Sequence, residues 1–98
     1  MSDAADSSRY RVWVTIAPEE LSFATAIGIL RELNRQHPEL GAIGSGSNGE
    51  GQVYALNCAA ENPGEARHVV TTAFDHVLRT LDLSEQASVA DIHTERIW

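Results

Sequence analysis

Two carboxylates and an imidazole, Asp91, His93 and Glu95, alternate near the end of this chain. On an extended strand that spacing puts all three on one face, about 6.6–6.8 Å apart. Neighbours at that distance can share a divalent ion through oxygen and nitrogen ligands. An imidazole beside carboxylates can also serve as an acid/base pair. Three ligands on one flat strand converge poorly without help from elsewhere, however. The simpler expectation is a solvated face whose acids pair with Arg9 and Arg11 across a ladder. No metal site, catalytic residue or cofactor is assigned.

Trp13 is the second chemically suggestive residue. It lies in the clearest extended run of the chain, where Tyr10, Val12, Val14 and Ile16 point one way and Arg9, Arg11, Trp13 and Thr15 the other. An aromatic on the polar side of a first strand is similar to the stacking position of RNA-recognition sheets. Such sheets also need basic or aromatic residues on the third strand, and here Val53, Ala55 and Asn57 supply neither. The remaining candidates are weaker. Cys58 is expected as a small buried hydrophobe. His68 and His76 stand two helical turns apart, too far to hold one ion, and His37 before Pro38 is expected to meet free carbonyls at a helix end. The glycine-rich stretch over residues 44–51 lacks the Lys and the following helix of a phosphate loop, so it reads as a hairpin.

The elements that position these residues follow from the hydrophobic rhythm. Pro18, with no amide hydrogen, ends the first strand. A helix lies within residues 18–36, starting either at Pro18 or later with Ser22 as cap. Phe23, Ala26, Ile27, Leu30 and Leu33 form its expected buried stripe. Residues 40–47 form a weak, irregular edge strand. Asn48-Gly49 signals a tight turn, since both central positions of a type I′ turn take positive φ. A third strand covers residues 52–59, with Tyr54, Leu56 and Cys58 facing the core and Val53, Ala55 and Asn57 outside. The second helix has Asn62 as cap, Pro63 at its first position and Glu65 completing the cap. Its apolar side comprises Ala66, Val69, Val70, Ala73, Phe74, Val77 and Leu81. A last strand places Ala90 and Ile92 inward and Asp91, His93 and Glu95 outward.

This β-α-β-β-α-β order resembles the ferredoxin-like sandwich, an α+β arrangement in which two helices cover one face of a four-stranded antiparallel sheet of order 4-1-3-2. The opposite face is then open. It gathers Arg11, Trp13 and Thr15 from the first strand, Val53, Ala55 and Asn57 from the third, and Asp91, His93 and Glu95 from the fourth. These nine residues are the candidate ligand or interface site.

Composition narrows the partners. Ninety-eight residues, 43% of them hydrophobic, suit one domain. Residues 9–98 are expected to form it, after a disordered acidic tail over residues 1–8 that lacks the basic and apolar regions of a signal peptide. Fourteen acidic residues against seven Arg and no Lys leave a net charge of −7. That balance disfavours nucleic acid and anionic membrane surfaces, whose affinity rests on cations. A single cysteine excludes an internal disulfide and a multi-cysteine zinc site. No apolar stretch approaches the roughly 18 residues of a membrane helix, so a cytoplasmic location is expected. A sheet face carrying Trp13, Val53 and Ala55 inside a polar rim reads as an interface. The expected function is a non-catalytic binding or protein-interaction domain, a homodimer through that face. The alternatives are a small-molecule or metal-binding regulatory domain around Trp13, Asp91, His93 and Glu95, and a small enzyme with a His93–carboxylate pair. The C-terminal Ile97-Trp98 is expected to dock onto the body.

Overall fold

The computed structural model describes residues 8–97. Its elements are β1 (Ser8–Ala17), α1 (Phe23–Gln36), a 3₁₀ turn (Pro38–Leu40), β2 (Ile43–Ser47), β3 (Gln52–Ala60), α2 (Pro63–Thr80) and β4 (Ser88–Arg96). The result is an α+β fold with one open, antiparallel four-stranded sheet in the order β2-β3-β1-β4. Of the expected acidic tail, residues 1–7 lie outside the described residues, and Ser8 opens β1. Trp98 also lies outside them, whereas the Ile97 amide continues the ladder by donating to Arg9 O at 2.7 Å. No helix among the described residues is long and apolar enough to cross a membrane.

The alternation in β1 and β3 sets the core. Tyr10, Val12, Val14 and Ile16 are buried on one face beside Tyr54, Leu56 and Cys58. Both helices cover that same face. The Tyr54 hydroxyl donates to Ala26 O of α1 at 3.0 Å, and its ring lies 5.5 Å from the Phe74 ring of α2. α2 begins where its capping residues place it: the Asn62 side chain accepts from the Glu65 amide at 2.8 Å, and the Glu65 carboxylate accepts from the Glu61 amide at 2.8 Å.

Several expectations from periodicity are corrected. α1 takes the later start, with Ser22 Oγ accepting from the Thr25 amide at 3.1 Å. Its buried residues are Ala26, Ile29 and Leu33, whereas Phe23 is 81% exposed and Ile27 only half-buried. The core lies beneath the first three. The other side of the helix hangs over β2, where Gly44 and Gly46 offer it no side chains. On α2, Leu78 is buried in place of Val69, which falls at the edge of the apolar arc, and Leu81 packs only partly at the helix end.

Leu40 belongs to the 3₁₀ turn, and β2 starts only at Ile43. The Asn34 side chain in α1 leads the chain into it, donating to Ala42 O at 3.0 Å and accepting from the Ala42 amide at 3.2 Å. The turn after β2 is not type I′. Gly49 has φ of 90°, but Asn48 does not share the positive φ. Residues 48–51 instead form a four-residue loop between the paired Ser47 and Gln52, closed by the Asn48 side chain, which accepts from the Glu50 and Gly51 amides at 2.9 and 3.2 Å. In β4, Ile92 faces the core but Ala90 does not. The register slips between Thr15↔Asp91 and Ile16↔Val89, so Ala90 is an extra residue and Val89 packs on the core in its stead.

Candidate functional site

The sheet face opposite the helices is built from the odd-numbered positions of β1, and pairing fixes what stands beside each. Across the middle of the sheet runs a row of Ile43, Ala55, Trp13 and His93, one residue from every strand. Val53, Thr15 and Asp91 form the row toward one end of the sheet, and Asn57, Arg11 and Glu95 the row toward the other. All nine candidate residues therefore lie on this one face, since side chains two apart along a strand share a side.

The nine are not equally available. Thr15 and Ala55 are each only 4% exposed although no helix covers them. Thr15 is roofed by the loop after β2, where Asn48 Nδ2 donates to Thr15 Oγ1 at 3.0 Å. Ala55 is a methyl group in register between Ile43 and Trp13. Trp13 is half-buried, with its ring 5.4 Å from that of His93 and tilted 36° to it. Asp91, His93 and Glu95 are exposed along the β4 edge.

The expected pairing of these acids with Arg9 and Arg11 is not found. Arg11 Nε donates instead to Asn57 Oδ1 at 2.8 Å, although Arg11 and Glu95 are register partners. Among the described residues the carboxylate contacts with basic groups are the Glu32–Arg35 ion pair and a 3.6 Å approach of His37 Nδ1 to Glu39 Oε2, both away from this face. No group of three His, Cys, Asp or Glu among the described residues is placed to hold a metal ion. The regular pleat accounts for this, because it keeps the three β4 side chains parallel rather than convergent.

Outside this face, Cys58 and His37 are the candidate residues engaged in packing. Cys58 is a buried free thiol whose pKa is pushed up by burial first and then by Glu65 and Glu39, which disfavours the nucleophilic thiolate. His37 does not meet helix-end carbonyls with its ring. Nδ1 stands 3.6 Å from Glu39 Oε2, and the ring stacks on His76 at 6.4 Å.

Val69 and Ile97 are exposed against expectation, and two further exposed hydrophobics flank the β2 edge. Ile43 is 58% exposed and extends the central row to the β2 edge. A strand reading Ile-Gly-Ser-Gly-Ser has too little alternation to set its own register, so only pairing with β3 places Ile43 opposite Ala55. Phe23 is the other, above the opposite side of the same edge. Its signal was present in the sequence, because a cap at Ser22 makes it the first helical residue, where the helix overhangs its support.

No protein-family model matches this chain, and no curated protein matches it in sequence.

Proposed function

We propose that this chain is a ferredoxin-like interaction domain that pairs with a second copy of itself through the open sheet face. The arrangement of the fold rests on the element order, the sheet order and the placement of both helices on one side. The observation that carries the function is the row Ile43–Ala55–Trp13, an apolar band crossing three strands and ending on β4 at the His93 ring. Charged groups stand around it rather than in it: Arg9 and Arg11 toward one end, Asp91 and Glu95 along β4. An apolar centre within a polar rim is the usual anatomy of a protein interface.

The size of the face supports a second copy as its occupant. Three strands of 9 or 10 residues and the 5-residue β2, spaced about 4.8 Å apart, present a patch on the order of 500 Å² in projection. Side-chain relief raises the buried area toward the roughly 800 Å² per partner of a standard interface. A small ligand would need an enclosed cavity, and a flat sheet face does not form one.

Light scattering coupled to size exclusion tests this reading. The wild-type chain is expected to run as a dimer at high micromolar concentration. Ile43→Lys is expected to run as a monomer with unchanged circular dichroism, because the side chain is already largely solvated. Trp13→Glu is expected to do the same with some loss of stability. A wild-type chain that stays monomeric at millimolar concentration ends the proposal.

A further inference from the structure

The two edges of the sheet differ in a way that the open face does not explain. β4 presents Asp91, His93, Glu95 and Arg96 and carries the bulge at Ala90, the features by which exposed edges resist pairing. β2, Ile43–Ser47, also slips register, between Gly44 and Ser47, but has neither a charge nor a proline. It is also flanked by apolar surface on both sides. Ile43 stands on the open face, and on the helix face a groove of about 340 Å³ runs between α1 and β2. Phe23, Ile27 and Leu30 form the upper wall, and Gly44, Gly46 and Tyr54 form the lower. The glycines hold the groove open: a Cβ at Gly44 would point toward Leu30 Cδ2 at 3.9 Å, and one at Gly46 would meet nothing within 4 Å. The Asn34–Ala42 hydrogen bonds brace the entry to the strand.

We infer that β2 accepts an added strand, and that its occupant is an extended segment of another protein with apolar residues at alternate positions and a basic N-terminal flank. Alternation follows from strand geometry, because side chains of an added strand fall in turn into the groove and over Ile43. The basic flank follows from the charges at one end of the groove. Phe23 and Gln52 mark that end, and the exposed Glu19, Glu20 and Glu50 lie within four residues of them. Residues 12–30 and 36–66 contain no Arg or Lys to neutralise these acids. β2 runs toward this end, so an antiparallel segment brings its N-terminus there. A second copy is the poorer fit. Five residues of edge span about 17 Å, far short of the interface a stable dimer needs, and each copy would bring the same acids.

The test uses the full chain and an acetylated, amidated peptide of sequence Lys-Lys-Leu-Ser-Val-Ser-Leu, followed by amide chemical shifts. Saturable shifts are expected along residues 43–47 and in Phe23 and Leu30. Phe23→Ser is expected to weaken binding at least tenfold with no change in melting temperature, since the ring is exposed. Exchanging the two lysines for glutamates is expected to weaken it about as much, with the gap closing as salt rises. Methylating alternate peptide amides is expected to abolish it. Unperturbed β2 amides at millimolar peptide, undiminished binding to Phe23→Ser, or shifts centred on Trp13 would each overturn the inference. So would shifts of residues 44–47 that appear on concentrating the protein alone without matching shifts at Trp13 and His93, because pairing through the open face moves those two as well.

Discussion

Tyr54 shows at the scale of one residue how a buried polar group ties this fold together. It sits 2% exposed under both helices, and its hydroxyl reaches Ala26 O rather than water. Burial pushes its pKa up to about 12. The phenol is neutral when protonated, and an unfolded tyrosine releases its proton near pH 10. Between these values the unfolded chain has lost a proton that the folded chain keeps, so stability is complete below about pH 10 and falls as pH rises toward 12. The loss amounts to about 2–3 kcal/mol. Urea titrations at pH 8 and 11.5 are expected to show this decline in the wild type and a smaller one in Tyr54→Phe. The variant also gives up about 1 kcal/mol at pH 8, the ordinary worth of one hydrogen bond. Asn48 illustrates the opposite case. Its type suited a turn and was visible as such, but its reach to Thr15 crosses 33 positions of sequence, which no local pattern announces.

At the scale of elements, the joints are more sensitive than the strands they join. Gly51 packs directly on the carbonyl of Ile16, so that a Cβ there would overlap Ile16 O and crowd Ala17 N at 2.9 Å. Backbone on both sides cannot give way as a side chain can. Gly51→Ala is therefore expected to cost 2 kcal/mol or more in chemical denaturation, at the upper range for overpacking (about 1–3 kcal/mol). The start of α2 is the second joint. Asn62→Ala removes the acceptor for the Glu65 amide and is expected to cost about 1 kcal/mol. Amide exchange is expected to quicken in its first turn and to stay unchanged in β1. α1 was less legible because its apolar residues occupy more of its circumference than the core requires. Which of them are buried depends on the glycines of β2 beneath it.

For the whole molecule, net charge and interface work against each other. A charge of −7 on each copy opposes pairing, while the apolar band favours it. Screening weakens the repulsion and leaves the apolar contact in place. Sedimentation equilibrium is thus expected to show tighter self-association at about 0.5 M salt than at about 0.05 M. A dimer held chiefly by contacts between Arg11 and the β4 acids would loosen instead.

The chain by itself determined the order of its elements, the facing of β1 and β3, the cap of α2 and the gathering of nine candidate residues on one side of a sheet. Each is written in local periodicity or in a cap a few residues long, where the pleat and the helical turn translate spacing directly into direction. Tertiary pairing decided the rest. It set Ile43 beside Ala55, moved Val89 rather than Ala90 onto the core, left Arg11 with Asn57 instead of an acid, and opened a groove under Phe23. These outcomes depend on contacts between distant segments, and a glycine-rich strand or a single extra residue in a ladder carries no periodic signal from which to foresee them.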